Sequence, residues 1–238
     1  MSSTLIIGGA SGIGFAVASA LVEHENEIIL AGRNIEKLEA ARQLLNQRSS
    51  EVKTLKLDVS NESEVIALSN SLGYVDNIVF TAGSYAPGGF LSEIELNAAR
   101  LAFDTKFWGS IYTARHLSGN IRSRGTLTLT SGFVARRTLS GTIVKSTMNA
   151  AIESAAKVLA KELSPLRVNV VSPGLTDTEA YASMDPVARE KMLQTAAANL
   201  PVKAYGHAQD IAKGYLFLLD NPFVTGTVID IEGGALIN

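Results

Sequence analysis

The chain contains no cysteine. That absence excludes disulfides, thiolate nucleophiles and zinc–thiolate centres, and it suits a reducing, cytoplasmic setting. Histidine is scarce: His24, His116 and His207 are scattered, match no metal-ligand spacing, and read as surface or helix-end residues, so no metal is expected. No apolar run approaches the roughly 20 residues that a membrane-spanning helix needs. No basic segment leads into an apolar core at the N-terminus, so no signal peptide is expected. Charge of one sign is also missing. With 21 Lys and Arg against 23 Asp and Glu, the net charge of −2 gives no reason to expect nucleic acid or a membrane as partner.

What is present is a chain of 238 residues, 46% of them apolar, enough to bury one substantial core. Residues 1–238 read as a single domain without repeats, linkers or low-complexity tracts. Short β-branched runs near 4–7, 27–31, 52–57, 75–80, 125–130, 166–171 and 227–231 alternate with helical patterns near 12–24, 34–48, 61–72, 95–118, 142–164, 182–197 and 208–220. Several runs are almost continuously apolar, as strands buried on both faces of a parallel sheet are. Asn34 and Asn61 read as helix N-caps. The alternation predicts an α/β fold: a Rossmann-type doubly wound parallel sheet of about seven strands with helices on both faces. Residues 174–206 break the rhythm, and an excursion of that length predicts a substrate lid or pocket wall.

The most informative stretch is Leu5-Ile6-Ile7-Gly8-Gly9-Ala10-Ser11-Gly12-Ile13-Gly14. An apolar strand runs into a glycine cluster and then a helical pattern, a context that suits a nucleotide phosphate. Gly8 permits a tight turn, Gly12 permits close approach to a pyrophosphate, and Gly14 permits helix–strand packing. The helix start offers unpaired N–H groups and a positive dipole end. Ligands of such sheets bind beyond the carboxyl ends of the strands, so Gly8, Arg33, Asp58, Gly83, Ser131 and Pro173, each following a different strand, should meet at one cleft.

At this point the chain resembles the short-chain dehydrogenase/reductase family over nearly its whole length. Gly8-x-x-x-Gly12-x-Gly14 matches the family's cofactor loop, with Ile7 in place of the usual threonine. Leu57-Asp58-Val59 matches its adenine-holding segment, and Thr81-Ala82-Gly83 its Asn-Ala-Gly turn, with threonine for asparagine. Ser131 falls where the family places its catalytic serine. Arg167-Val168-Asn169-Val170-Val171-Ser172-Pro173-Gly174 matches the sixth strand and its proline–glycine turn, and Thr178 a cofactor-touching threonine. The stretch from Val224 to Gly234 is close to the C-terminal signature. The resemblance implies cofactor contacts at Gly8, Ala10, Ser11, Gly12, Ile13, Gly14, Asp58, Val59, Ala82, Gly83, Pro173, Gly174, Leu175 and Thr178. It also implies a homotetramer or homodimer, assembled through helices 95–118 and 142–164 and the C-terminal strand.

Charge argues the cofactor choice. An acid after the second strand would bond the ribose hydroxyls of NAD, whereas an arginine nearby accommodates the 2′-phosphate of NADP. Here Gly32 stands at the acid's position and Arg33 follows it, a planar fork of donors suited to phosphate. NADP(H) is the expected cofactor.

The catalytic set departs from the family, which uses serine, tyrosine, a lysine one helical turn after the tyrosine, and an asparagine on the preceding helix. Lys145 stands at the tyrosine position and Asn149 at the lysine position, while Lys106 replaces the asparagine. No tyrosine lies between Tyr112 and Tyr181, so no shift of register restores the motif. Lysine and asparagine have traded helices. Lys106, Ser131, Lys145 and Asn149 are therefore the candidate catalytic residues. Two ammonium groups in one cleft should depress each other's pKa, bringing a lysine towards the range of a useful general acid. Ser131 is expected to hydrogen-bond the developing oxyanion, Lys145 or Lys106 to supply the proton, and Asn149 to take over the ribose contacts.

Tyr85 and Tyr181 are rival proton donors, read first as pocket lining. Phe107 and Trp108 read as interface or core, and Arg136-Arg137 as a solvated basic pair beside the cleft. The expected activity is hydride transfer between NADPH and a small-molecule carbonyl or alcohol. A non-catalytic NADP(H)-binding sensor or partner protein is the alternative reading, and a lyase or isomerase without net redox change is a third.

Overall fold

The structure is a computed structural model that describes residues 2–24, 27–46, 51–182 and 184–238. Positions 47 and 48, the end of the expected second helix, lie outside the described residues. Strands β1 (Ser3–Ile7), β2 (Glu27–Gly32), β3 (Glu51–Lys56), β4 (Val75–Phe80), β5 (Ile121–Thr130), β6 (Arg167–Pro173) and β9 (Val228–Ile231) form one seven-stranded sheet. Its order is β3-β2-β1-β4-β5-β6-β9 and every pairing in it is parallel. Two short strands, β7 (Thr176–Asp177) and β8 (Gly206–His207), pair separately and close the base of the 174–206 excursion.

The doubly buried sheet explains the unbroken apolar runs. On β1, Leu5 and Ile7 face one core while Ile6 faces the other. The Ile6 side is covered by α1 (Gly12–Leu21), α2 (Ile35–Leu45) and α8 (Ala208–Asp220), through Val17, Leu38 and the fully buried Tyr215. The Leu5 side is covered by α3 (Glu62–Ser71), α4 (Leu96–Phe103), α5 (Gly109–Leu117) and α6 (Ile143–Glu162). Asn34 accepts from Lys37 N at 2.9 Å and Asn61 from Ser63 N at 3.1 Å, so both asparagines cap helices.

Three elements differ from the sequence expectation. β5 begins at Ile121 rather than 125, because the polar Arg122-Ser123-Arg124 stretch is an irregular extension. Ile121 pairs with Val75 before the register shifts, and Arg124 sits at φ 70°. The helix expected over 95–118 is interrupted by a π-helical turn, Asp104–Trp108, between α4 and α5. The helix of the excursion is α7 (Pro186–Asn199), starting later than 182. Asp185 caps it through Ala188 N at 3.0 Å, and Pro186 occupies its first position.

Reversal of winding between β2-β1 and β4-β5 opens a crevice at the carboxyl edge of the sheet. Gly8, Arg33, Asp58, Thr81 and Ser131 follow β1, β2, β3, β4 and β5 at that edge, and Pro173 ends β6.

Candidate active site

The turn after β1 is packed against the turn after β4 with no room for side chains. Gly8 has φ 92°, and a Cβ there would lie 2.7 Å from Ala82 N. A Cβ on Gly14 would lie 2.3 Å from the Gly8 carbonyl oxygen and 2.5 Å from Thr81 Oγ1. Thr81 replaces the family's asparagine, and its hydroxyl donates to Ile7 O at 3.0 Å, tying the two turns together. Ser11, the N-cap of α1, makes no capping hydrogen bond with its side chain, which leaves the first-turn N–H groups for a ligand. Thr178 and Glu179 overhang this turn, with Thr178 Cβ 3.6 Å from where a Cβ on Gly12 would project.

Further along the crevice, Arg33, Asp58, Ser60, Ser84, Tyr85, Leu101 and Thr105 are among the residues lining a cavity of about 410 Å³. Arg33 is exposed and has no carboxylate partner among the described residues. Tyr85, 77% exposed, lines this same cavity. The backbone cradle, the uncapped helix start and the unpaired guanidinium fit a phosphorylated dinucleotide.

At the opposite end, α6 and the π-helical turn face the loop after β5. Lys106 reaches across from the π turn, and its Nζ donates to Asn149 Oδ1 at 2.7 Å and to the Ser131 carbonyl oxygen at 2.9 Å. Burial of the amine brings its pKa down from 10.5 to about 8. Burial is the cause here, rather than a second ammonium. An ammonium has three protons. Two of Lys106's are engaged, and among the described residues the third finds no acceptor. The Asn149 amide nitrogen likewise has no protein acceptor among them, and it packs against Gly132, where a Cβ would lie 2.9 Å away.

Lys145 makes no hydrogen bond to this cluster among the described residues. It is an exposed residue in the first turn of α6, one turn before Asn149, and it has no ion-pair partner among the described residues. The structure thus joins Lys106, Asn149 and Ser131 by hydrogen bonds, whereas Lys145 is solvent-exposed.

Ser131 is held differently from the sequence expectation. Its Oγ donates to Glu153 Oε1 at 2.8 Å. A hydroxyl has one proton, so towards any other group Ser131 Oγ offers lone pairs rather than a donor. Glu153 is only 6% exposed, and its second oxygen takes Arg136 Nε at 3.0 Å. Arg136 also forks onto Asp230, with Nη1 to Oδ2 at 2.9 Å and a second contact through Nη2, and touches Ser172 Oγ at 3.3 Å. Arg137 donates to Ala235 O at 2.7 Å. The pair expected to be a solvated basic patch instead ties the loop after β5 to the C-terminal segment. The sequence reading does not single out Glu153. The available signal was its spacing: Lys145, Asn149 and Glu153 follow one another at i, i+4 and i+8, a single row on α6.

Tyr181 lies in the 174–206 excursion, where burial and then the charge of Asp177 raise its phenol pKa, making it a poorer acid. The base of the excursion is fastened by Arg189, whose Nε donates to Asp177 Oδ1 at 2.9 Å. No helix among the described residues is long and apolar enough to cross a membrane.

Fold and crevice together define a doubly wound nucleotide-binding protein with a dinucleotide-shaped cradle at its switch point. A profile described as enoyl-(acyl carrier protein) reductase matches residues 8–235. A solved small-chain dehydrogenase in complex with NADPH is 41% identical, covers 100% of this chain and 99% of its own, and superposes with a TM-score of 0.86. The short-chain dehydrogenase/reductase ATR9 of Stachybotrys chlorohalonatus is 31% identical over 99% of this chain and 97% of its own. Carbonyl reductase family member 4 of Danio rerio is 30% identical over 97% and 96% respectively. The chain belongs to the short-chain dehydrogenase/reductase family of oxidoreductases.

Proposed function

We propose that the protein is an NADP(H)-dependent oxidoreductase acting on a carbonyl/alcohol pair, with a half-buried lysine in place of the family's tyrosine as proton donor. The observation that carries this reading is the Lys106 amine, bridged to Asn149 and the Ser131 carbonyl with one N–H to spare. The cradle of Gly8, Ala10, Ser11, Gly12, Ile13 and Gly14 would hold the pyrophosphate and Arg33 the 2′-phosphate. Asp58, Val59, Ala82 and Gly83 would flank the adenosine, while Pro173, Gly174, Leu175 and Thr178 would border the nicotinamide. The NADPH complex of the 41% identical dehydrogenase and the carbonyl reductase relative support the choice of cofactor and substrate class.

When bound, the nicotinamide supplies or accepts the hydride. The remaining work falls to this chain's own residues. A carbonyl oxygen beside Lys106 receives the free N–H as negative charge develops on it, and the ammonium then releases that proton. The depressed pKa makes this transfer easier than from an ordinary lysine near 10.4, though still about neutral-to-basic in range. Asn149 keeps the amine aimed by accepting from it, and its own amide N–H groups are left for ligand oxygens. Residues 174–206 act as the lid over the crevice. The exposed apolar side chains Leu101, Trp108 and Val158 on the α4–α5–α6 face support assembly into the family's homotetramer. A stable monomer by light scattering would contradict that assembly.

The test is a binding titration followed by turnover. Purified protein is expected to bind NADPH more tightly than NADH and to consume NADPH with some member of a ketone, aldehyde and quinone panel. Cofactor affinity with no turnover of any carbonyl would favour the sensor reading instead.

A further inference from the structure

We propose that Glu153 is a positioning residue that holds the Ser131 hydroxyl as a hydrogen-bond acceptor towards the cleft, so that Ser131 takes a hydrogen bond from ligand while Lys106 gives one. The proposal rests on the oxidoreductase reading above. Its basis is the commitment of protons. Ser131 Oγ–H points at Glu153 Oε1, 2.8 Å away, and a carboxylate cannot return that bond.

Glu153 is an expensive residue to place where it is. It lies mid-helix on the buried face of α6, among Met148, Ile152 and Ala156, where an apolar side chain would complete the core. Its charge is compensated by Arg136, which is anchored in turn by Asp230 on β9 and by Ser172 on β6. The carboxylate therefore has a fixed position set from three strands' ends, and it spans both ends of the loop 131–136. Loop anchoring alone needs only the Arg136–Asp230 fork. The additional bond to Ser131 addresses the reaction centre, one helical turn from Asn149, which itself receives Lys106.

The centre thus has two polarities. Lys106 and the Asn149 amide present donors, and Ser131 presents lone pairs backed by a carboxylate. A ligand carrying a hydroxyl beside its reacting oxygen, such as a hydroxyketone or diol, matches both, because it can donate to Ser131 while accepting from Lys106.

A four-protein comparison decides it: parent, Ser131→Ala, Glu153→Gln and the double variant. NADPH affinity, read by fluorescence, is expected to stay within about two-fold throughout. Each single variant is expected to lower kcat at least ten-fold with a smaller change in KM. The double variant is expected to be no worse than the poorer single variant, because Glu153 acts through Ser131. Structural damage from losing Glu153 would instead multiply with the serine loss. Losses that multiply, or a Glu153→Gln variant with parental kcat, would overturn the proposal while leaving the oxidoreductase reading intact. A parent that binds NADPH but turns over no carbonyl or alcohol would overturn both. Glu153→Asp, which keeps a charge for Arg136 but withdraws it from Ser131, carries the same comparison if Glu153→Gln does not fold.

Discussion

Lys106 and Asn149 hydrogen-bond each other, Nζ to Oδ1, at 2.7 Å across two helices that face the same loop. Each occupies the position at which the family resemblance places the other residue type. The exchange keeps one amine and one amide at the centre while moving the charge to the opposite wall. In the function we propose, the Lys106 amine, its pKa lowered by burial, takes the place of the missing tyrosine as proton donor.

The two lysines should separate cleanly on mutation. Lys106→Met is expected to lower kcat by roughly 100-fold or more, the usual scale for a lost general acid, with NADPH affinity retained. Lys145→Met, on the exposed first turn of α6, should stay within a few-fold of parent. Steady-state kinetics beside a cofactor titration checks both, and the reverse ranking would return the proton to Lys145.

Arg33 should set the cofactor preference. Arg33→Gln is expected to weaken NADPH binding by roughly 10- to 100-fold, the scale of one or two charge-assisted hydrogen bonds, and to leave NADH affinity nearly unchanged. Isothermal titration with both cofactors reads the difference. An equal effect on the two would place Arg33 outside the phosphate site.

Gly14→Ala tests the cradle. Its Cβ would meet the Gly8 carbonyl oxygen at 2.3 Å, backbone that cannot swing away, as well as Thr81 Oγ1 at 2.5 Å. Destabilisation of about 1–3 kcal/mol is expected from such overpacking, together with a larger loss of NADPH affinity than any thermal shift accounts for. Thermal melts with and without NADPH measure both.

Arg167 tests an internal cap. It is buried, and its guanidinium donates to Leu218 O at 2.7 Å, Leu219 O at 3.1 Å and Val224 O at 3.2 Å, the carbonyls at and beyond the end of α8. Arg167→Met leaves these buried acceptors short of donors, and a loss of about 2–3 kcal/mol is expected in chemical denaturation.

Much of this was legible in the chain. The apolar runs reported strands buried on both faces, because in such a sheet neither side of a strand meets water. The glycine cluster after Ile7 reported a turn without side chains, and at Gly14 a Cβ would come within 2.3 Å of the Gly8 carbonyl oxygen. The trade between Lys106 and Asn149 is legible because Asn149 aligns from the downstream Leu159-Ala160-Lys161-Glu162 stretch and Lys106 from its own segment, Asp104 to Gly109. Other features were hidden for identifiable reasons. A π turn at Asp104–Trp108 changes the helical period over a single turn, too short a stretch to alter the apolar pattern. Glu153 looks like any helical glutamate until Arg136, Asp230 and Ser131 are brought to it by the fold. Lys145 shares a row with Asn149, but its place at the first turn of α6 leaves it in solvent, which spacing alone does not reveal.

The pH dependence of NADPH-driven reduction bears most directly on the role of Lys106. Its protonated form is the acid, and burial sets its pKa at about 8, so kcat should be level below that pH and fall as pH rises through it. The limb should vanish in Lys106→Met and persist in Lys145→Met. A rate that holds level up to the range of an ordinary lysine, or a limb near 8 that survives loss of Lys106, would contradict the assignment.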